Sequence, residues 1–158
     1  MPTSIWYSEA EQLLQLQNDY KKLEIKHRNL LGKKTYYKFK KGDCFYIISD
    51  MDGKSVKNKP GFEGVDIDVR LQQHRSSTAA CKLEYLIYSK DAKLVETAIL
   101  KKYESKKRNF KNHEWVFDVD VNHLIKSVRT IMDVLGIEYE EEKDITKYNK
   151  QIEMDFKK

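Results

Sequence analysis

Apolar and polar positions change period several times along this chain, and each change marks an element. Leu13, Leu16, Tyr20, Leu23, His27 and Leu30 alternate steps of three and four residues, a heptad seam that predicts a helix ending before Gly32. Ser8 with Glu11 forms a capping box at its start. A seam this short is marginal as a free coiled coil. It reads either as the end of a dimerising stalk or, preferably, as an amphipathic helix laid on the domain, with His27 as a polar register residue rather than a ligand.

Beyond the basic, aromatic stretch Thr35 to Asp43, CFYIIS (Cys44 to Ser49) has the unbroken apolar character of a buried strand. DMDG (Asp50 to Gly53) is a turn leading to a second strand. Asp66 can cap a short helix carrying Val69, Arg70, Leu71, Gln73 and His74. KLEYLIYS (Lys82 to Ser89) sets Leu83, Tyr85 and Ile87 against Glu84, Leu86 and Tyr88, the period of two of a third strand. Asp91 opens a helix through Leu94, Val95, Ala98, Ile99 and Tyr103, and HEWVFDV (His113 to Val119) is a further strand. Asp120 caps a helix along Leu124, Ile125, Val128, Ile131, Met132 and Leu135 that Gly136 stops, and a charged last segment is helical from Ile145 to Met154. The order β-β-α-β-α-β-α predicts an α/β (α+β) fold, a small mixed sheet flanked by helices behind an N-terminal helical arm. The expected organisation is an arm and linker over 1–41, a central domain over 42–120, and a helix with a charged tail over 121–158.

Charge adds a partner class to this picture. The chain has 158 residues, a net charge of +5 and a pI near 9.0. Its bases cluster: Lys21 to Lys41 holds one acid, Glu24, and KKYESKKRNFK (Lys101 to Lys111) is a second patch. An anionic partner suits both patches, as does an ordinary solvated surface. Cys44 and Cys81 are too few for a disulfide framework and have no zinc-ligand spacing, so buried thiols in a reducing compartment are expected. Without a long apolar run or a signal peptide, the reading is of an intracellular, soluble protein with no membrane partner.

Four features suggest chemistry. Tyr46 places a phenol in an apolar strand, where it either tethers the strand or faces a reacting group. Arg70 and His74 lie one helical turn apart on one face; a guanidinium clamps phosphate with parallel donors, and a histidine can bond a phosphate or donate a proton. Glu96 interrupts an apolar helix stripe, which costs free energy unless Arg70 or a divalent cation pairs with it. A lone carboxylate suits Mg²⁺, which completes its octahedron with waters and phosphate oxygens. Asn112, His113 and Glu114 begin the last strand.

Taken in order, these residues resemble the GIY-YIG nuclease superfamily, in the T5orf172-type subgroup found in bacteriophages and large DNA viruses of eukaryotes. The similarity runs from about Gly42 to Val119. CFYII stands where the first motif, Gly-Ile-Tyr, is expected, with Tyr46 on its tyrosine. KPGFEGVDIDVRLQQHR (Lys59 to Arg75) is similar to a Lys-Ile-Gly segment followed by Arg-Leu-x-x-His, so Arg70 and His74 fall on the motif arginine and histidine. LVETAILKKY puts Glu96 on the metal-binding glutamate, and NHEWVF resembles the closing motif with Asn112 near its asparagine. The chain departs from the pattern where Lys59-Pro60-Gly61 replaces the second tyrosine motif and Cys44 replaces the first glycine.

The resemblance implies metal-dependent hydrolysis of phosphodiester bonds in DNA. One Mg²⁺ (or Mn²⁺) ion would be held by Glu96, Arg70 would neutralise the phosphate, and Tyr46 would orient or activate water, aided by Lys59. His74 and Asn112 would hold the site in shape. Lys59, Arg75, Lys106, Lys107 and Arg108 are expected to contact nucleic acid, and the N-terminal helix to offer a homodimer contact. For a viral protein the compartment would be the host cytoplasm or nucleus. The alternative implied by the departures is a catalytically weak or inactive DNA-binding module on the same fold.

Overall fold

A computed structural model of the protein describes residues 9–33, 37–50, 57–77, 81–110 and 113–156. Helix α1 (Glu9–Lys33) leads into β1 (Cys44–Asp50), β2 (Lys57–Glu63), α2 (Ile67–Ser77), β3 (Cys81–Tyr88) and α3 (Ala92–Lys102). A short 3₁₀ turn (Glu104–Lys106) precedes β4 (Lys107–Phe110), β5 (His113–Phe117), α4 (Val121–Leu135), β6 (Glu140–Glu141) and α5 (Ile145–Phe156). The fold is α+β; the described residues form five α-helices around one six-stranded sheet in the order β4-β5-β2-β1-β3-β6. Every ladder is antiparallel, so the sheet is not mixed in strand direction. No helix among the described residues is long and apolar enough to cross a membrane.

The caps behave as their residue types dictate. Asp66 Oδ1 accepts from the Asp68 N–H at the head of α2, and Asp120 accepts from the Asn122 N–H at the head of α4. Gly136 ends α4 at φ 66°, a conformation glycine adopts without a Cβ penalty. Asp91 precedes α3 but makes no side-chain cap. Instead the Ser89 hydroxyl accepts from the Asp91 N–H. Helix α1 runs through Gly32 rather than ending before it, and Ser8 of the expected capping box lies outside the described residues.

Both sheet faces are covered. Cys44, Tyr46 and Ile48 of β1 pack with Ile67 and Leu71 of α2 and with Tyr148 and Ile152 of α5. Phe45 and Ile47 face Val95 and Ile99 of α3 and Leu124, Val128 and Met132 of α4. The expected alternation along β3 is interrupted. Ile47 pairs with Tyr85 and Ile48 with Leu83, so Glu84 is an extra residue, a β-bulge. The bulge puts Leu83 in the first core and Tyr85 and Ile87 in the second.

Strand β2 positions the site. Tyr46 lies opposite Gly61, Ile48 opposite Lys59 and Cys44 opposite Glu63. The pleat therefore aims Lys59, Gly61 and Glu63 toward the face that carries Tyr46. The β2–β5 ladder joins Lys57 to Phe117 and Asn58 to Val116, fastened by Asn58 Nδ2 on the Val119 carbonyl at 3.0 Å. Past Asn58, β2 continues beside β1, so Pro60 occupies an edge-like position, where a strand tolerates the missing N–H.

Candidate active site

The centre of the site is a buried pair. Tyr46 on β1 and His74 on α2 are 2% and 4% exposed, and the phenol oxygen lies 2.8 Å from His74 Nε2. Helix α2 makes this possible because Leu71 and His74, three residues apart, both point into the core while Arg70 stays at its margin. Burial raises the Tyr46 phenol well above the ordinary 10.0; the Arg70 charge draws it back, and the Glu96 and Glu63 charges push it further up. The phenol is therefore a poor base by itself and needs His74 if it is to exchange a proton.

Gly61 makes room for the ring. A Cβ built there would fall 2.5 Å from the Tyr46 hydroxyl and 2.9 Å from Cε2. Any side chain opposite Tyr46 in the register would displace the phenol, so glycine is required by close approach.

Arg70 is held by a carboxylate that the motifs do not contain. Its Nε donates to Glu63 Oε2 at 3.0 Å, while Glu63 Oε1 accepts from the Val65 N–H at 3.2 Å. Glu63 thus links the end of β2, the following turn and α2, and bonding through Nε leaves the guanidinium's two terminal nitrogens beyond that contact. The expected Arg70–Glu96 pair is not formed. Glu96, largely shielded on α3, instead accepts from Lys93 Nζ at 2.7 Å. Its charge still reaches the centre, where it raises both the Tyr46 phenol and the Lys59 ammonium. Burial works against Lys59 first and leaves that half-buried ammonium below its ordinary 10.5; Arg70 lowers it further.

Tyr46, His74, Arg70, Lys59 and Glu96 therefore share one neighbourhood, joined by Glu63, which the motifs do not mark, and by Gly61, which they mark only as the end of the replaced tyrosine motif. Their signal was parity: once Tyr46 opposes Gly61, Glu63 falls two residues on and faces the same side. Asn112 lies outside the described residues. Arg75 is corrected. It is buried rather than offered at the surface, with Nη1 donating to the Tyr148 hydroxyl at 2.6 Å.

Lys106 is exposed on the turn before β4, and Lys107 and Arg108 lie on that edge strand. Lys107 Nζ is 3.8 Å from Glu114, and the Arg108 guanidinium stands over Phe117 at 5.6 Å. Such bases also protect an exposed strand edge from pairing with another chain.

One carboxylate suits Mg²⁺, which typically takes one or two carboxylates with water and phosphate oxygens. Glu96 meets that need, though it must share or release Lys93. Among the described residues no three or more His, Cys, Asp or Glu side chains gather into a protein cage for a metal. Compared with known proteins, the chain matches no family model, no curated protein and no solved structure.

Proposed function

We infer that the protein is a DNA endonuclease that hydrolyses phosphodiester bonds at the Tyr46–His74 pair. The observation that carries this reading is the 2.8 Å bond between the two buried groups, with the Arg70 charge acting on the phenol. In the tautomer with Nε2 unprotonated, Tyr46 donates to His74 and its oxygen can receive a proton from an attacking water. As that O–H bond of water breaks, one forms on Tyr46 and the phenol's own proton passes to Nε2. The pair ends as neutral tyrosine beside imidazolium, so no phenolate persists where burial opposes it. Hydroxide attacks phosphorus, the sugar oxygen leaves as the P–O bond breaks, and it takes a proton from solvent while the imidazolium returns its own to solvent.

Arg70 supplies donors to the phosphate oxygens through its terminal nitrogens, oriented by Glu63. Glu96 would hold a divalent cation, whose chemistry there is charge neutralisation on the phosphate. DNA is the partner, and Lys106, Lys107 and Arg108 would track its backbone.

A second reading, binding without cleavage, is favoured by one feature. The ionic groups are already satisfied within the chain, Arg70 on Glu63 and Glu96 on Lys93. Cleavage of supercoiled plasmid and a branched oligonucleotide, assayed with Mg²⁺, Mn²⁺ or EDTA, separates the two. Metal-dependent nicking that disappears in Glu96→Ala is expected; DNA bound but intact in every metal would leave only the binding module.

A further inference from the structure

We propose that α1 is an interaction surface for a second copy of this chain, and that the two helices pair antiparallel. From Glu9 to Ile25 the helix is exposed throughout. Its seam residues Leu13, Leu16, Tyr20 and Leu23 are 57 to 70% exposed, while Leu14 and Ile25 are exposed singly on the far side of the helix. Helix α1 lies beside α2, which ties it to the domain. Twenty-five residues span about 37 Å, enough for three heptads of a two-helix seam. Four apolar side chains at strict a and d spacing are a seam rather than scattered surface apolar residues.

The charge distribution identifies the occupant and its direction. Residues 9–20 carry the acids Glu9, Glu11 and Asp19 and no lysine or arginine. Residues 21–33 carry Lys21, Lys22, Lys26, Arg28 and Lys33 against Glu24 alone. A parallel pair would stack basic half on basic half and place Asp19 near the second copy's Glu24. An antiparallel pair lays each acidic half along a basic one. With nearly full overlap, Tyr20 comes opposite the second copy's Leu23, Leu16 opposite its His27 and Leu13 opposite its Leu30, so seam meets seam. In that register Asp19 flanks the second copy's Lys26, the complementary contact expected beside a coiled-coil core. The two domains then lie at opposite ends of the rod, related by a two-fold axis across its middle.

The full chain can be tested by sedimentation equilibrium over a range of concentrations, together with spin-label distances from a Gln12→Cys variant, whose label flanks the seam. Cys44 and Cys81 are buried, so the new thiol is the accessible one. A concentration-dependent dimer with labels about 30 Å apart is expected, from the rise along the helix between position 12 and its mirror position. Leu16→Glu/Leu23→Glu alters only exposed side chains and should raise the dimer dissociation constant by about 100-fold or more. A monomer at every concentration, labels about 10 Å apart as in a parallel pair, or a dimer unaffected by the double variant would each overturn the proposal. So would an α1 that stays solitary until DNA is added, since its basic half would then be a phosphate surface.

Discussion

Replacing Gly61 by alanine is the smallest change that should disable the site. Gly61 does not have a positive φ, so alanine is tolerated by the backbone and the effect is steric. The added methyl would sit 2.5 Å from the Tyr46 hydroxyl, where ordinary van der Waals contact begins at 3.4 Å, so the ring must move by about 1 Å. It has little room: Tyr46 is 2% exposed and its oxygen is tied to His74. Overpacking costs about 1–3 kcal/mol, and losing the hydrogen bond adds about 0.5–1.5 kcal/mol. Reduced freedom of the unfolded chain returns about 0.4–1 kcal/mol. The net expectation is a destabilisation of about 2 kcal/mol.

Urea unfolding followed by the fluorescence of buried Trp115 reads this directly. Tyr46→Phe/Gly61→Ala completes a double-mutant cycle. Removing the hydroxyl relieves part of the clash but leaves Cζ in place, so a coupling of about 1 kcal/mol is expected between the two changes. A Gly61→Ala midpoint equal to or above that of the unaltered protein would refute the reasoning, because the close approach would then not exist.

Three further outcomes follow from the same geometry. Glu63→Ala should lower kcat for DNA cleavage by about 10- to 100-fold by loosening Arg70, whereas Glu63→Gln, which keeps a carbonyl acceptor for Nε, should stay within about threefold; equal losses would remove the positioning role. Burial raises Cys44 to about 12 from 9.0 and the Tyr46, Tyr85 and Tyr88 phenols above 10.0, so these groups keep their protons in the folded state while the unfolded chain loses them. Their contribution to stability is therefore fully present below about pH 9 and declines as pH rises toward the folded values, and a melting temperature that stays level to pH 11 would contradict it. Charge reversal at Lys106, Lys107 and Arg108 should flatten the salt dependence of DNA binding by about 0.9 in the log–log slope for each phosphate no longer neutralised, while an unchanged slope would move the DNA elsewhere.

Local signals made part of this architecture legible in the sequence. Helix α4 could be bounded because Asp120 supplies an oxygen to a free N–H and Gly136 accepts a left-handed backbone. Helix α3 was visible from Val95 and Ile99, one turn apart and both buried. Strand β4 was not visible: Lys107-Arg108-Asn109-Phe110 pairs with Glu114 and its neighbours at a sheet edge, where apolar alternation is not needed. The bulge at Glu84 was equally hidden, since every apolar residue of β3 is buried whichever face it takes. In the candidate site, residue types and spacing singled out Tyr46, Arg70, His74 and Glu96, but their partners depend on register and long-range packing. Glu63 reaches Arg70 across a strand, a turn and a helix, and Arg75 finds Tyr148 on a helix near the end of the chain.

Single-turnover cleavage of DNA by Tyr46→Phe, at saturating protein and with binding measured in parallel, tests the central claim most directly. The variant keeps the ring beside Gly61 and removes only the oxygen bonded to His74. If the pair moves the proton of the attacking water, the rate falls by about 10²- to 10⁴-fold while DNA affinity stays the same. A variant that cuts as fast as the unaltered protein would show that Tyr46 only tethers its strand, and the chemistry would have to be sought at other groups.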